Sequence, residues 1–374
     1  MEHSSKINPL VSIVLGTRPE AIKLAPVIMS FQECTALQTR IIFTGQHREM
    51  VNQIMELFEI SLSKDLGLKV TDQTPSYITS SILQELKEEF HTHPPNLVLV
   101  QGDTTAAFAS ALTAFYEQIP VAHIEAGLRT NNISYPFPEE GNRCLISQLT
   151  SLHFSPTIQS AANLRAAGVT GEIHVTGNTV IDSLLLAANK STECTVDGLI
   201  WENYKVILVT VNRRENWGPR LNDIALGLLR LLEIYPNVAL VLPLNTNPIV
   251  RGPIKNILNN HPRAFLIEPL AYDKWITAMR NCTLILTDSG GIQEEAPTFG
   301  KPVLVLRDAT ERLESVQAGT ARLIGTKPID IVKETSILID NPEVYSIMSR
   351  SYNPFGDGQA SNRILAASRV FLDC

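Results

Sequence analysis

Residues 11–20 read VSIVLGTRPE, a short apolar run that ends at Gly16 and leads directly into a helical pattern. Glycine lets the backbone approach a ligand closely, and Pro19 suits the first turn of a helix, where its missing N–H is not needed. Residues 284–291, LILTDSGG, repeat this design before another helical pattern. Because a helix N-terminus that follows a strand receives anions well, the two joins predict two α/β halves that bind one phosphate-bearing ligand.

Apolar runs of strand length alternate with helical patterns along the chain. The alternation predicts parallel sheets with helices on both faces, and therefore an α/β fold of two Rossmann-like, doubly wound domains. We expect domains over residues 1–180 and 181–374, a linker within 177–204 that holds the polar run 189–195, and a final helix that packs back on the first domain. The predicted strands are 11–15, 40–44, 97–101, 120–124, 151–154, 172–175, 205–211, 238–243, 264–268, 283–287, 303–306 and 322–324. The predicted helices are 19–33, 47–60, 76–92, 104–118, 138–150, 156–168, 219–235, 247–260, 272–281, 291–299 and 313–318.

The bulk composition excludes several classes of protein. A net charge of −7 over 374 residues argues against a nucleic-acid partner, and no apolar run is long enough to insert into a membrane. Five scattered cysteines without a Cys-x-x-Cys pair indicate reduced thiols rather than a disulfide framework or a zinc site. The first residues lack the pattern of an export signal, so we expect a soluble cytoplasmic protein.

Cations and glycines at the two joins are the predicted phosphate ligands. Arg18 and Lys23 either face the ligand or are ordinary surface charges. Ser289, Gly290 and Gly291 leave the first N–H groups of a helix accessible to an anion, although Ser289 could equally cap an ordinary helix. Glu294 and Glu295 are either ribose ligands or stabilising acids of a first helical turn.

Carboxylates that follow strands are the acid/base candidates. Asp103 and Glu125 come just after predicted strands, and Glu139 and Glu140 lie in the run PFPEEGNR (136–143). Such groups carry general acid/base catalysis when they meet in one cleft. The alternatives are that Asp103 caps the following helix and that Glu140 forms an ion pair with Arg143. His123 is expected to be a core residue, and no metal-binding constellation stands out.

With these residues in view, the chain resembles the non-hydrolysing UDP-N-acetylglucosamine 2-epimerases. The fold implied is the two-Rossmann GT-B arrangement, with the active site in the cleft between the domains. The resemblance extends over nearly the whole chain, in the family's order. It rests on GTRPEAIKLAPVI (16–28), TGQHREM (44–50), QGDTTAAF (101–108), AHIEAGLRT (122–130), PFPEEGNR (136–143), VTGNTVID (175–182), LTDSGGIQEEAPTFGKPVLVLRDATER (286–312) and NPFGDGQASNRI (353–364).

The resemblance implies interconversion of UDP-GlcNAc and UDP-ManNAc without a cofactor, by elimination of UDP to a 2-acetamidoglucal and re-addition. It implies a homodimer that serves surface-polysaccharide synthesis. The catalytic carboxylates it implies are Asp103, Glu125 and Glu139. The substrate ligands it implies are Arg18, Lys23, Asn212, Arg213, Ser289, Gly290, Gly291, Glu295 and Arg312. Gln46, His47 and Arg213 match part of an activator site for a second UDP-GlcNAc, in which Glu49 stands where such members carry an amide.

Two residues depart from the family pattern. Asn212 and Asn245 stand where the family usually has histidines, and an amide hydrogen-bonds with similar reach but cannot become cationic. If those imidazoles neutralise the departing diphosphate, their loss would slow catalysis by about 10²–10³-fold. A nucleotide-sugar-binding protein with altered catalysis therefore remains an alternative. A hydrolysing epimerase that releases ManNAc and UDP is a second alternative, and a glycosyltransferase, which rests on the architecture alone, is a third.

Overall fold

The computed structural model describes residues 8–68, 74–190 and 193–374. Residues 1–7, and residues 191 and 192 of the predicted linker, lie outside the described part. The chain divides into two compact units, one running to Leu186 and including Phe355–Cys374, the other comprising Ala187–Pro354. The predicted domain boundary between residues 180 and 181 stays a prediction.

The first unit is built on one parallel sheet with the strand order β3-β2-β1-β4-β5-β6-β7 in its described residues. Helix α15 belongs to this unit and packs against α1. The strands are β1 (Leu10–Leu15), β2 (Gln38–Phe43), β3 (Lys64–Asp65), β4 (Leu97–Gln101), β5 (Val121–Ile124), β6 (Leu152–Ser155) and β7 (Glu172–Val175). The helices are α1 (Arg18–Glu33), α2 (Arg48–Phe58), α3 (Pro75–Thr92), α4 (Thr105–Tyr116), α5 (Glu139–Leu149), α6 (Ile158–Ala166), α7 (Thr179–Lys190), which continues into the second unit, and α15 (Ala360–Phe371).

The second unit repeats the plan with a parallel sheet in the order β10-β9-β8-β11-β12-β13. Its strands are β8 (Lys205–Thr210), β9 (Val238–Pro243), β10 (Ala264–Ile267), β11 (Leu284–Thr287), β12 (Val303–Val305) and β13 (Ala321–Leu323). Its helices are α8 (Pro219–Ile234), α9 (Pro248–Leu258), α10 (Tyr272–Asn281), α11 (Gly290–Glu295), α12 (Leu313–Gln317), α13 (Pro328–Asp340) and α14 (Pro342–Arg350). The predicted class, two Rossmann-like α/β domains with parallel sheets, is confirmed.

Burial of the central strands on both faces explains why the sequence reads as continuous apolar runs. Every residue of β4 is buried, and so are five of the six residues of β8. Helices α3 and α4 cover one face of the first sheet through Ile82, Leu86 and the alanines of α4. At about 25 cal/mol per Å² of apolar surface, burial of this kind supplies most of the driving force for each unit.

The topology of each sheet fixes where its ligand site can lie. In the first sheet the chain leaves β1 for β2 on one side and returns to β4 on the other, so the loops after β1 and β4 diverge. The loops after β8 and β11 diverge in the same way in the second sheet. Open parallel sheets bind ligands at such switch points. The predicted join at 16–20 lies at the switch point of the first sheet, and the join at 288–291 lies at that of the second.

Candidate active site

Glu125 follows β5 at the carboxyl edge of the first sheet, and the side chains of Lys23, Asn178 and Gln101 contact it. Lys23 Nζ lies 2.5 Å from Glu125 Oε1, Asn178 Nδ2 donates to the same oxygen at 3.1 Å, and Gln101 donates to Oε2. The φ of Glu125 is +66°, a left-handed value that is costly for a residue with a Cβ. The cation and the two amides hold the Glu125 carboxylate in one position at the carboxyl edge of the sheet.

Asp103 lies in the loop after β4 and is bound by Arg143 of α5. Arg143 donates to Asp103 Oδ2 from Nε at 2.8 Å and lies 2.6 Å from it through Nη2. Nη1 of the same guanidinium donates to Glu140 at 2.9 Å, which confirms the predicted local ion pair. The expectation that Asp103 caps α4 is wrong, since the hydroxyl of Thr104 accepts from Ala107 N instead.

Glu139 opens α5 and differs from the other two carboxylates. Its Oε2 is buried and has no hydrogen-bond partner among the described residues. A buried oxygen in this state is costly unless a proton or a ligand satisfies it. The three predicted catalytic acids thus differ in their surroundings: Glu125 contacts a lysine, Asp103 contacts an arginine, and Glu139 has a buried oxygen without a described partner.

The first strand-to-helix join is occupied by a carboxylate of the chain itself. Glu20 Oε2 accepts from Gly16 N at 3.0 Å and from Thr17 N at 2.6 Å, and Oε1 accepts from Thr104 Oγ1 at 2.7 Å. Burial raises the pKa of Glu20, and these donors oppose the rise. The N–H groups of Gly16 and Thr17 are therefore already paired within the chain, and anion binding at this join stays a prediction. Arg18, half-buried at the start of α1, is the predicted ligand that this join still presents.

Gln46 and His47, the predicted activator-site residues of the first unit, follow β2. Gln46 is buried, and its Oε1 has no partner among the residues described. A Cβ placed on Gly16 would lie 2.6 Å from that oxygen and 2.5 Å from Thr44 Oγ1, which explains the glycine after β1. His47 has a φ of +45° and directly precedes α2.

In the second unit, Asp288 ties together the loops after β8 and β11. It is fully buried and accepts from Asn212 N at 2.9 Å, from Arg213 N at 2.8 Å and from Asn216 Nδ2 at 3.0 Å. Burial raises the pKa of Asp288, and the same three donors oppose the rise. Asp288 thereby fixes Asn212 and Arg213 beside the loop that begins at Ser289.

Ser289, Gly290 and Gly291 form the start of α11 without a side-chain cap. Ser289 lies at the capping position but makes no capping hydrogen bond, so the expectation that it caps the helix is wrong. The N–H of Ser289 donates to Thr287 Oγ1 at 3.0 Å, whereas the Ser289 hydroxyl does not cap the N–H groups that follow it. A Cβ on Gly290 would lie 2.7 Å from Glu311 Oε1, so an alanine here would displace the Glu311 carboxylate.

The acids and the arginines near α11 are linked to one another. Arg312 Nε donates to Glu294, which is 1% exposed, so Glu294 is a structural acid. Glu295 is half-buried, and its Oε1 lies 3.8 Å from where a Cβ of Gly291 would be. Arg213 Nη2 lies 3.3 Å from Glu311 Oε1. Although burial alone would raise it, the pKa of Glu311 is lowered to about 2 by Arg312 and Arg307.

Two buried histidines lie on adjacent strands of the first sheet, one of them two residues before Glu125. His123 of β5 pairs in register with His153 of β6, and both are buried, which confirms His123 as a core residue. His123 Nε2 lies 2.7 Å from the carbonyl oxygen of Gly102. Burial lowers the pKa of His123 to about 4 and that of His153 to about 3, so both rings are neutral near pH 7.

Three residues without a predicted role form hydrogen bonds to predicted site residues. Gln101, Asn178 and Asp288 lie inside the quoted motifs, each at or just after the end of a strand. That position is the signal that could have identified them, because polar groups there face the ligand edge of a parallel sheet. Among the described residues, no cluster of three or more His, Cys, Asp or Glu side chains could hold a metal ion. Likewise, no described helix is long and apolar enough to cross a membrane.

Comparison with known proteins identifies the family. The family model for UDP-N-acetylglucosamine 2-epimerase matches residues 29–369. The UDP-N-acetylglucosamine 2-epimerase of Neisseria meningitidis serogroup A is 46% identical over 363 residues, covering 95% of this chain and 98% of that protein.

Solved structures agree with this assignment. The N. meningitidis UDP-GlcNAc 2-epimerase bound to UDP-GlcNAc has a TM-score of 0.88 at 45% identity, covering 96% of this chain and 99% of that one. The S. aureus MnaA structure with UDP has a TM-score of 0.89 at 40% identity, covering 98% of this chain and 97% of that one. The chain belongs to the UDP-N-acetylglucosamine 2-epimerase family.

Proposed function

We propose that this protein is a non-hydrolysing epimerase that interconverts UDP-GlcNAc and UDP-ManNAc. The observation that carries the proposal is the environment of the three acids: Glu125 is held by Lys23, Asp103 by Arg143, and Glu139 keeps a buried open oxygen. Epimerisation at C2 needs one group that removes a proton and one that returns it on the opposite face. Acids in such different surroundings are suited to that division of labour.

The proposed reaction has two halves that mirror each other. In the first, a carboxylate removes the proton at C2, the electron pair of that bond forms the C1–C2 double bond, and the C1–O bond breaks to release UDP. In the second, a β-phosphate oxygen of UDP attacks C1 of the 2-acetamidoglucal while a proton is delivered to the other face of C2. We assign these proton transfers to Asp103, Glu125 and Glu139; the buried Oε2 of Glu139 has no hydrogen-bond partner among the described residues.

The second unit supplies the proposed nucleotide site. Asp288 holds the backbone of Asn212 and Arg213 next to the uncapped turn at Ser289–Gly291, so N–H groups and a guanidinium lie at one switch point. This is the environment that stabilises a departing diphosphate. In this proposal Arg18 and Arg312 add positive charge and Glu295 accepts the ribose hydroxyls. Gln46, His47 and Arg213 are proposed to bind a second UDP-GlcNAc, and the protein is proposed to be a homodimer.

The amide pair Asn212 and Asn245 favours a second candidate, a nucleotide-sugar-binding protein with slow catalysis. The two side chains hydrogen-bond at 2.9 Å and offer a neutral donor where a histidine would offer a cation. Replacing both by histidine should then raise turnover by about 10²–10³-fold while the affinity for UDP changes little.

Proton NMR in deuterated water tests the proposal. Incubation of the protein with UDP-GlcNAc should yield UDP-ManNAc, with deuterium at C2 of both sugars. Glu125→Gln should abolish both signals, whereas Glu56→Gln, at an exposed position of α2, should leave them unchanged. Steady accumulation of free ManNAc and UDP would instead indicate a hydrolysing enzyme. Bound UDP-GlcNAc that keeps its C2 proton would indicate the binding protein.

A further inference from the structure

Two asparagines that follow adjacent strands of the second sheet are joined by a side-chain hydrogen bond. Asn212 follows β8 and Asn245 follows β9, and the register that pairs Leu208 with Val241 brings them side by side four residues later. Asn245 Nδ2 donates to Asn212 Oδ1 at 2.9 Å. Asn212 is exposed, whereas Asn245 is half-buried behind it.

A backbone group fixes the orientation of both amides. The N–H of Asn247 donates to Asn245 Oδ1 at 2.8 Å. Since an N–H cannot accept, the oxygen of Asn245 must face Asn247 and its NH₂ group must face Asn212. The oxygen of Asn212 is thereby engaged by Asn245, and its own NH₂ group is left to donate elsewhere.

The main chain of Asn212 is anchored as firmly as its side chain. Its N–H donates to the buried carboxylate of Asp288, and the next residues after Asp288 form the uncapped turn at Ser289. The NH₂ group of Asn212 thus belongs to a residue held from both ends at the switch point of the sheet. Such a group is a preorganised donor, because binding a ligand costs it little rotational freedom.

We propose that Asn245 is a positioning residue that orients the Asn212 amide as a pure donor to an anionic oxygen of the diphosphate. This inference rests on the proposed function and deepens it. The relay Asn247 N–H, Asn245, Asn212 (the amide relay) replaces charge with fixed orientation at this place in the site. The donor that results does not titrate, so it is equally available at every pH near neutrality.

Replacement of Asn245 by aspartate reverses the relay. A carboxylate can accept both from the N–H of Asn247 and from the NH₂ group of Asn212. The Asn212 amide would then turn over and present its oxygen to the diphosphate, so a donor becomes a repelling acceptor. Replacement by alanine only frees the amide to rotate. Thr246→Asp is the matched control, because it adds the same charge at the neighbouring, exposed position outside the relay.

The test is calorimetric titration of the full chain and its variants with UDP-GlcNAc, whose diphosphate diester has no proton to lose near neutral pH. We expect Asn245→Asp to weaken binding by about 10–100-fold, Asn245→Ala by only a few-fold, and Thr246→Asp by less than twofold. In an Asn212→Ala background, Asn245→Asp should add almost nothing, because no amide remains to be turned.

Three results would overturn the relay: equal losses for Asn245→Asp and Thr246→Asp, equal losses for Asn245→Ala and Asn245→Asp, or an undiminished loss in the Asn212→Ala background. Any of these with epimer still formed by the wild-type protein would leave the proposed function standing. Wild-type binding without epimer formation, together with the expected ranking, would overturn the proposed function and leave the relay intact.

Discussion

Replacement of Glu20 by alanine is expected to destabilise the first unit. The carboxylate is 1% exposed and accepts from Gly16 N, Thr17 N and two hydroxyls, one of which belongs to Thr104 in the loop after β4. The hydroxyls can turn to other acceptors, but the two N–H groups cannot, and each orphaned donor costs about 1–3 kcal/mol. Burial of the Glu20 carboxyl, which raises its pKa, has a cost that alanine removes. We therefore expect the lower half of the range summed over the two N–H groups, about 2–4 kcal/mol.

Glutamine at position 20 should be tolerated far better than alanine. Its oxygen can accept from Gly16 and Thr17, while its NH₂ group donates to the Thr104 hydroxyl, so the expected loss is about 1 kcal/mol or less. Differential scanning calorimetry should show Tm falling by roughly 4–16 °C for Glu20→Ala. The exposed Glu33→Ala on the same helix should change Tm by about 1–2 °C at most. Equal losses for Glu20→Ala and Glu20→Gln, or a Glu20→Ala loss no larger than that of Glu33→Ala, would show that these hydrogen bonds of Glu20 do not stabilise the first unit.

Three further predictions concern pH, catalysis and ligand binding. His123 and His153 are neutral when folded, with pKa values of about 4 and 3, but bind protons near pH 6.5 when unfolded, so stability should be lost as the pH falls below 6.5. At pH 5 the loss is about 2 kcal/mol for each ring, and urea unfolding of His153→Gln should show a shallower fall, whereas an unchanged slope would contradict the assignment. Glu125→Gln should lower kcat by at least about 10²-fold with a near-native circular dichroism spectrum, and a loss confined to KM would argue against a proton-transfer role. Gly290→Ala, whose Cβ would meet Glu311 at 2.7 Å, should raise KM for UDP-GlcNAc about tenfold, whereas Gly252→Ala, which meets nothing within 4 Å, should leave KM unchanged; equal KM values for the two would contradict the site.

The long apolar strands and the joins that follow them were predictable, because a strand that is buried on both faces of a parallel sheet has a continuous apolar sequence. The run at 97–101 coincides with β4, and the run at 238–243 with β9. Strand β3 escaped prediction because it is two exposed residues, Lys64 and Asp65, at a sheet edge. Helices α13 and α14 follow β13 and were not predicted, because no strand separates them and the alternation that identified the other helices ends there.

Contacts between distant residues explain what the sequence could not reveal about the site. The carboxylate of Glu20 occupies a join that reads as an anion site, which becomes visible only when its oxygen is seen against Gly16 N. Asp288 and Asn212 meet across 76 positions of sequence, and Asn212 and Asn245 across 33. The motifs contain the polar residues that make these contacts. The pairing of donors with acceptors inside those segments depends on strand order and register, which no single motif contains.

Epimerisation by elimination and re-addition requires that the bond between C1 and the UDP oxygen breaks and re-forms. UDP-GlcNAc labelled with ¹⁸O in that bridging position tests it directly, with phosphorus NMR following the label in sugar recovered from the reaction. Elimination and re-addition should spread the label to the non-bridging oxygens of the β-phosphate as UDP-ManNAc forms. Epimer that forms while all of the label stays in the bridge would contradict it.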